Sequence, residues 1–191
     1  MRVIAGRCKG RRLRTPTWDG LRPTSDKLRE TLFNILGPRV AGARVLDGYA
    51  GTGAIGIEAL SRGAAHVTFV ERGRRAAALI EANLAACGVR EGYTIQHGDV
   101  AAVLTRMTDE ARFDVVVLDP PYDAPGVREA LAAAAARLVD AGVLVLERAT
   151  RRDHDLPPGL TRTRDVRSGD STLTFFASGT PGLPERRGGA P

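Results

Sequence analysis

Cysteine is nearly missing from this chain: Cys8 and Cys87 are the only two, and no CxxC spacing links them. That argues against a disulfide framework or a thiolate metal site and fits free thiols in a reducing compartment. The three histidines, His66, His97 and His154, are scattered, so no metal is assigned. No apolar run approaches the length needed to cross a bilayer. The basic start, MRVIAGRCKGRRLRTP, is not followed by an apolar stretch of signal-peptide length. A soluble, cytoplasmic protein is expected. Acids are also missing locally: none precedes Asp19, whereas Arg2, Arg7, Lys9, Arg11, Arg12 and Arg14 supply six cations. A basic arm ahead of a globular unit points to a phosphate-backbone partner, and Arg7, Lys9, Arg11, Arg12 and Arg14 are the expected RNA contacts.

What is present is one domain's worth of alternating pattern. The 191 residues, 43% of them apolar, suffice for one α/β core. Residues 1–21 hold two short β-like runs, RVIA and RRLR, around GRCKG, and predict a small basic hairpin. TSDKLRETLFNILGP predicts a helix: Leu28, Leu32, Ile35 and Leu36 share a face, Thr24 or Ser25 can cap it, and Gly37-Pro38 ends it. Then come strand 43–47, helix 54–63, strand 66–71, helix 74–88, strand 93–99, helix 100–107, strand 113–119, helix 127–139 and strand 142–147. Such alternation implies a parallel sheet covered on both faces. TRTRDVR and STLTFFA, joined by SGD, follow without a helix and predict a C-terminal antiparallel hairpin. Residues 178–191 carry little apolar mass and predict a disordered tail. The expected division is an arm (1–21), a main domain (22–177) and the tail (178–191). No long apolar face remains to demand a partner chain, so a monomer is expected.

The stretch LDGYAGTGAIG joins the first strand to its helix, and Gly51, Gly53 and Gly56 match G-x-G-x-x-G. Glycines let the backbone turn tightly and approach a nucleoside, and the helix start offers free N–H groups. Glu71, 20 residues beyond Gly51 at the end of the second strand, can accept both hydroxyl protons of a ribose. Asp47, four residues before Gly51, decides between cofactors. Its charge would repel a pyrophosphate but attract the α-ammonium of S-adenosylmethionine, so S-adenosylmethionine is favoured over NAD. Asp99 can accept from an adenine amino group, with the Val100 N–H facing a ring nitrogen. It can equally cap the helix that follows.

The fourth strand ends in LDPPYD. An exocyclic amine on a nucleobase is a poor nucleophile because its lone pair is delocalised into the ring. Asp119 and the carbonyl of Pro120 can each accept one of its N–H protons and so aim that lone pair. Pro120 and Pro121 fix φ and cannot donate, which holds the carbonyl in place. Tyr122 offers a face on which an extruded base can stack.

LRPTSDKLRETLFNIL, LDGYAGTGAIGIEALSRGA, FVE and LDPPYD, in this order, resemble the bacterial small-subunit ribosomal RNA guanine-N2 methyltransferases called RsmD, and the basic opening resembles that family's start. The resemblance implies a Rossmann-like class I methyltransferase with a seven-stranded, mostly parallel sheet. It implies S-adenosylmethionine as methyl donor and the exocyclic N2 of one guanine in 16S rRNA as acceptor, in free rRNA or in the small subunit. Asp47, Gly51 and Gly53 would line the methionine end of the cofactor, Glu71 the ribose and Asp99 the adenine. Asp119, Pro120 and Tyr122 would hold the target. The Arg22-Pro23-Thr24 segment would lie over the site, Thr24 toward the cofactor and Arg22 toward RNA. One departure is visible: Gly48-Tyr49 stands where many relatives carry a hydrophobic residue and phenylalanine. Asp-Pro-Pro-Tyr alone is shared with DNA adenine-N6 methyltransferases, so that activity stays an alternative, as does a non-catalytic RNA-binding assembly factor.

Overall fold

The computed structural model describes residues 1–18, 25–152 and 157–178. Arg22, Thr24 and the tail beyond 178 therefore lie outside the described residues. The element order is α1 (Asp26–Leu36), a 3₁₀ turn (Gly37–Val40), β1 (Arg44–Gly48), α2 (Ala54–Ser61), β2 (His66–Glu71), α3 (Arg74–Ala86) and β3 (Tyr93–His97). It continues with α4 (Val100–Arg106), β4 (Phe113–Leu118), α5 (Val127–Ala135), β5 (Leu138–Ala149), β6 (Leu160–Ser168) and β7 (Ser171–Ser178).

The seven strands form one sheet in the order β3-β2-β1-β4-β5-β7-β6. Strands β1 to β5 pair in parallel, and β7 runs antiparallel to both β5 and β6, as the hairpin pattern predicts. Central strands read as unbroken apolar runs because both faces are covered. Val45, Val115, Val117 and Val145 pack under α1–α3, while Leu46, Val116, Leu118 and Leu144 pack under α4 and α5. Winding reverses between β1 and β4, and in open α/β sheets ligands bind beyond the strand ends at that point.

Ser25 caps α1, accepting from the Leu28 N–H at 3.2 Å. The helix expected over 127–139 stops at Ala135, and Leu138-Val139 already belong to β5. Their apolar pair suits helix or strand; Phe113 on β4 decides, donating to the Arg137 carbonyl at 2.9 Å and pairing with Leu138. Ala141 (φ 60) and Gly142 then carry β5 across the resulting irregularity. Ser178 still belongs to β7, its hydroxyl donating to the Val139 carbonyl at 2.9 Å.

The N-terminal segment differs from expectation more. In place of two strands there is a single antiparallel bridge, Arg2 to Arg12. Its order comes from docking: Val3, Cys8 and Leu13 are buried in the main core. Polar anchors surround them. Glu58 on α2, fully buried, accepts from the Ile4 and Ala5 N–H groups at 2.7 and 2.9 Å. Ser61 accepts from the Cys8 N–H and donates to the Ala5 carbonyl. Asn83 on α3 accepts from the Arg14 N–H at 2.7 Å, and Arg29 on α1 donates to the Arg2 carbonyl. Gly6 (φ 80) touches α2 so closely that a Cβ would fall 1.8 Å from the Ser61 carbonyl oxygen.

Candidate active site

One cavity of about 530 Å³ opens at the carboxyl ends of β1, β2 and β4. Asp47, Gly51, Glu71, Asp99, Val100 and the whole Asp119–Tyr122 run line it, so two sequence motifs separated by about 70 residues meet there.

The glycine loop is built around the end of β1. Gly51 (φ 54) and Gly53 (φ 75) occupy the left-handed region, where a Cβ is disfavoured. Gly53, the N-cap of α2, has no side chain to offer. Asp47 serves instead, its Oδ2 accepting from the Gly56 N–H at 2.8 Å. Gly56 lets α2 press on the sheet: a Cβ there would meet the Phe69 ring at 2.2 Å. Glu71 fastens the loop from the neighbouring strand, one oxygen accepting from Gly51 N–H at 2.9 Å and the other from Gly73 N–H at 2.7 Å.

Asp47 is only 1% exposed. Burial raises its carboxyl well above the usual carboxylate range; the Gly56 hydrogen bond opposes this, and the charges of Asp119 and Glu71 add to it. Three acids thus border one cavity, which favours a cationic occupant and disfavours an anionic one. Asp99 caps α4, its Oδ1 accepting from the Ala102 N–H at 3.2 Å, and also borders the cavity. The capping role is present, and the second carboxylate oxygen is not used by that cap.

Asp119 follows β4 and is tied to β1 through its N–H to the Gly48 carbonyl at 3.3 Å. Pro120 is buried and Pro121 exposed. The turn is clamped from segments that sequence reasoning passed over. The Tyr122 hydroxyl shares a 2.7 Å hydrogen bond with Ser171 Oγ at the start of β7. Arg152, after β5, donates to the Tyr122 carbonyl and to Asp123 Oδ1, the latter at 3.2 Å. Glu147 on β5, 7% exposed, lines the cavity beside them. These residues lie 25 to 49 positions from the Asp-Pro-Pro-Tyr turn, in or just after strands whose pattern marks them only as strand, so no local signal could have found them.

The basic arm does not line the cavity. Arg7, Lys9, Arg11, Arg12 and Arg14 all expose their side chains on the docked segment. Asn83 links that segment to the site, donating to both the Arg14 and the Thr52 carbonyls at 3.2 and 2.9 Å. Among the described residues, no group of three or more His, Cys, Asp or Glu is placed to hold a metal ion, and no helix is long and apolar enough to cross a membrane.

Comparison with known proteins extends the picture. The Ribosomal RNA small subunit methyltransferase D of Haemophilus influenzae is 41% identical over 124 residues, covering 64% of this chain and 64% of that protein. Its namesake in Escherichia coli K12 is 38% identical over 122 residues, covering 64% and 60%. The aligned part thus spans less than two thirds of either relative. The solved structure of yhhF from Escherichia coli superposes with a TM-score of 0.82 at 30% identity, covering 94% of this chain and 98% of that one. Residues 1–177 match the family model described as Conserved hypothetical protein 95, so the chain belongs to that family, the RsmD-type proteins its motifs resemble.

Proposed function

We propose that this protein is an S-adenosylmethionine-dependent methyltransferase that modifies the exocyclic N2 of a guanine in small-subunit ribosomal RNA. The observation that carries the reading is the one cavity lined both by Asp47, Gly51 and Thr52 of the glycine loop and by the Asp119–Tyr122 turn; Gly53, expected there, is not among the lining residues. The names of the relatives from Haemophilus influenzae and Escherichia coli support the substrate class. The residues present fit the cofactor. A cavity of about 530 Å³ lies in the range usual for nucleoside-sized ligands, and the cluster of Asp47, Glu71 and Asp119 suits a ligand bearing positive charge.

When bound, S-adenosylmethionine supplies an electrophilic sulfonium methyl. Asp47 and the backbone of Gly51 would hold its methionine end, Glu71 its ribose, and Asp99 and Val100 its adenine, while Gly53 shapes the loop as the α2 N-cap. On the acceptor side, Asp119 takes one N–H of the amine and the Pro120 carbonyl the other, directing the nitrogen lone pair into the cavity. The Tyr122 ring, steadied by Ser171, receives the extruded base, with stacking worth about 1–3 kcal/mol. Positioning and fixed dipoles do most of the work. Arg7, Lys9, Arg11, Arg12 and Arg14, with Arg22, engage phosphates. The protein acts as a monomer, and a ribosomal substrate places it in the cytoplasm.

The test is transfer of tritiated methyl groups to small-subunit rRNA, assembled small subunits and DNA, followed by nucleoside analysis. N2-methylguanine in RNA is expected; labelling of DNA alone overturns the proposal. Asp119→Ala is expected to bind S-adenosylmethionine as the parent does yet lose transfer. Normal turnover by that variant would show that the acid does not act on the amine.

A further inference from the structure

Two acids stand side by side at the acceptor end of the cavity, and the proposed chemistry uses only one of them. Leu118 on β4 pairs with Leu146 on β5, so the residues that follow, Asp119 and Glu147, are neighbours at the ends of adjacent parallel strands. Such strands lie about 4.8 Å apart, and side chains alternate along each. Val117 and Val145 face α1–α3, whereas Leu118 and Leu146 face α4 and α5. Glu147 turns back to the α1–α3 face, where its cross-strand partner on β7, Leu173, is buried. Leu28 of α1 comes down on that face and lines the cavity together with Asp119, Tyr122 and Glu147. Glu147 therefore projects from β5 toward the cavity on the same side as Asp119. Its Oε2 is closed off inside the protein, so any contact with a base falls to Oε1.

Asp119 and the Pro120 carbonyl grip an amine, and guanine, adenine and cytosine all carry one. These two acceptors cannot by themselves select the base. The bases differ in what flanks the amine. Guanine N2 lies beside N1–H, a donor, while the amines of adenine and cytosine lie beside a ring nitrogen that only accepts. A third acceptor next to Asp119 matches guanine and sets a carboxylate against the lone pair of the other two. A site built to hydrogen-bond one group rejects an analogue lacking it, because the site's own polar atom is then left unmatched.

We propose that Glu147 accepts a hydrogen bond from N1–H of the target guanine, making it a specificity-determining residue that admits guanine and rejects adenine. This rests on the guanine-N2 methyltransferase reading above.

The experiment uses a synthetic fragment of small-subunit rRNA centred on the guanine that the transfer assay maps, and the same fragment with 2-aminopurine in that place. 2-Aminopurine keeps the amine at C2 but has an accepting N1. With the parent, kcat/KM is expected to be roughly 10- to 100-fold lower for 2-aminopurine, the scale of one hydrogen bond to a charged group. Glu147→Gln keeps the shape and can turn its amide N–H toward an accepting N1, so the preference for guanine is expected to shrink roughly tenfold. Binding of S-adenosylhomocysteine by the variant, measured by calorimetry, should match the parent. A parent that methylates both fragments equally overturns the proposal, whatever the variant does. So does a variant that keeps the parent's preference, or one that loses both fragments alike, since the side chain would then serve the fold or the amine rather than N1. A parent that labels no guanine in rRNA removes the guanine-N2 reading first, an outcome distinct from the others.

Discussion

Replacing Glu58 should unfasten the basic arm from the domain. The side chain is fully buried on α2, and its two oxygens accept from Ile4 and Ala5 N–H at 2.7 and 2.9 Å, with Arg62 Nε on the same carboxylate at 2.7 Å. Hydrogen bonds to a charged group contribute about 1.5–3 kcal/mol each, so Glu58→Ala, which removes both arm contacts, costs about 3–6 kcal/mol. For a chain of this size each kcal/mol lowers Tm by about 2–4 °C, giving a loss on the order of 10 °C. Glu58→Gln keeps one acceptor and should lose roughly half as much. The readouts are thermal unfolding and limited trypsin digestion, for which the arm offers Arg2, Arg7, Lys9, Arg11, Arg12 and Arg14. Early cleavage in the arm is expected for the alanine variant, since Val3, Cys8 and Leu13 would lose their cover. An alanine variant that melts within about 2 °C of the parent, with its arm still resistant, would refute the idea that this carboxylate holds the arm.

Asp47→Asn should stabilise the ligand-free protein near neutral pH and weaken S-adenosylmethionine binding. The raised folded pKa means that Asp47's stabilising contribution is full below the unfolded value, near 4, and is lost as pH rises through the folded one. Asparagine still accepts from Gly56 N–H without a charge, so Tm measured from pH 4 to 8 should fall less steeply than in the parent; identical slopes would count against the buried charge. Neutralising Arg11, Arg12 and Arg14 together to Gln should weaken RNA binding and reduce the salt-dependence slope by about 2–3, with no change in Tm. Unchanged affinity at low salt would mark the arm as inert toward RNA.

The elements of the sheet were legible because their signals are local. VVVLD is apolar on both faces and GYAGTGAIG has one backbone solution, so strand, loop and helix follow from a few residues each. The helix over 127–139 was overextended because Leu138-Val139 fits either period, and the pairing with Phe113 that settles it lies 25 residues away. The arm's charge was plain in the sequence, but its anchoring was not. Glu58, Ser61 and Asn83 look like ordinary polar positions on amphipathic helices, and their partners lie 53 to 69 residues upstream.

By itself, then, the sequence determined the alternating α/β order, the cofactor-type loop, the Asp-Pro-Pro-Tyr turn and the basic N-terminus. These depend on hydrophobic period, glycine conformational freedom and net charge, all written residue by residue. Only the tertiary structure decided that Asp47 caps α2 while sharing one cavity with Glu71 and Asp119, and that Ser171 and Arg152 clamp the Tyr122 turn. Burial and hydrogen-bond pairing arise when the chain closes on itself, and no window of sequence holds both partners.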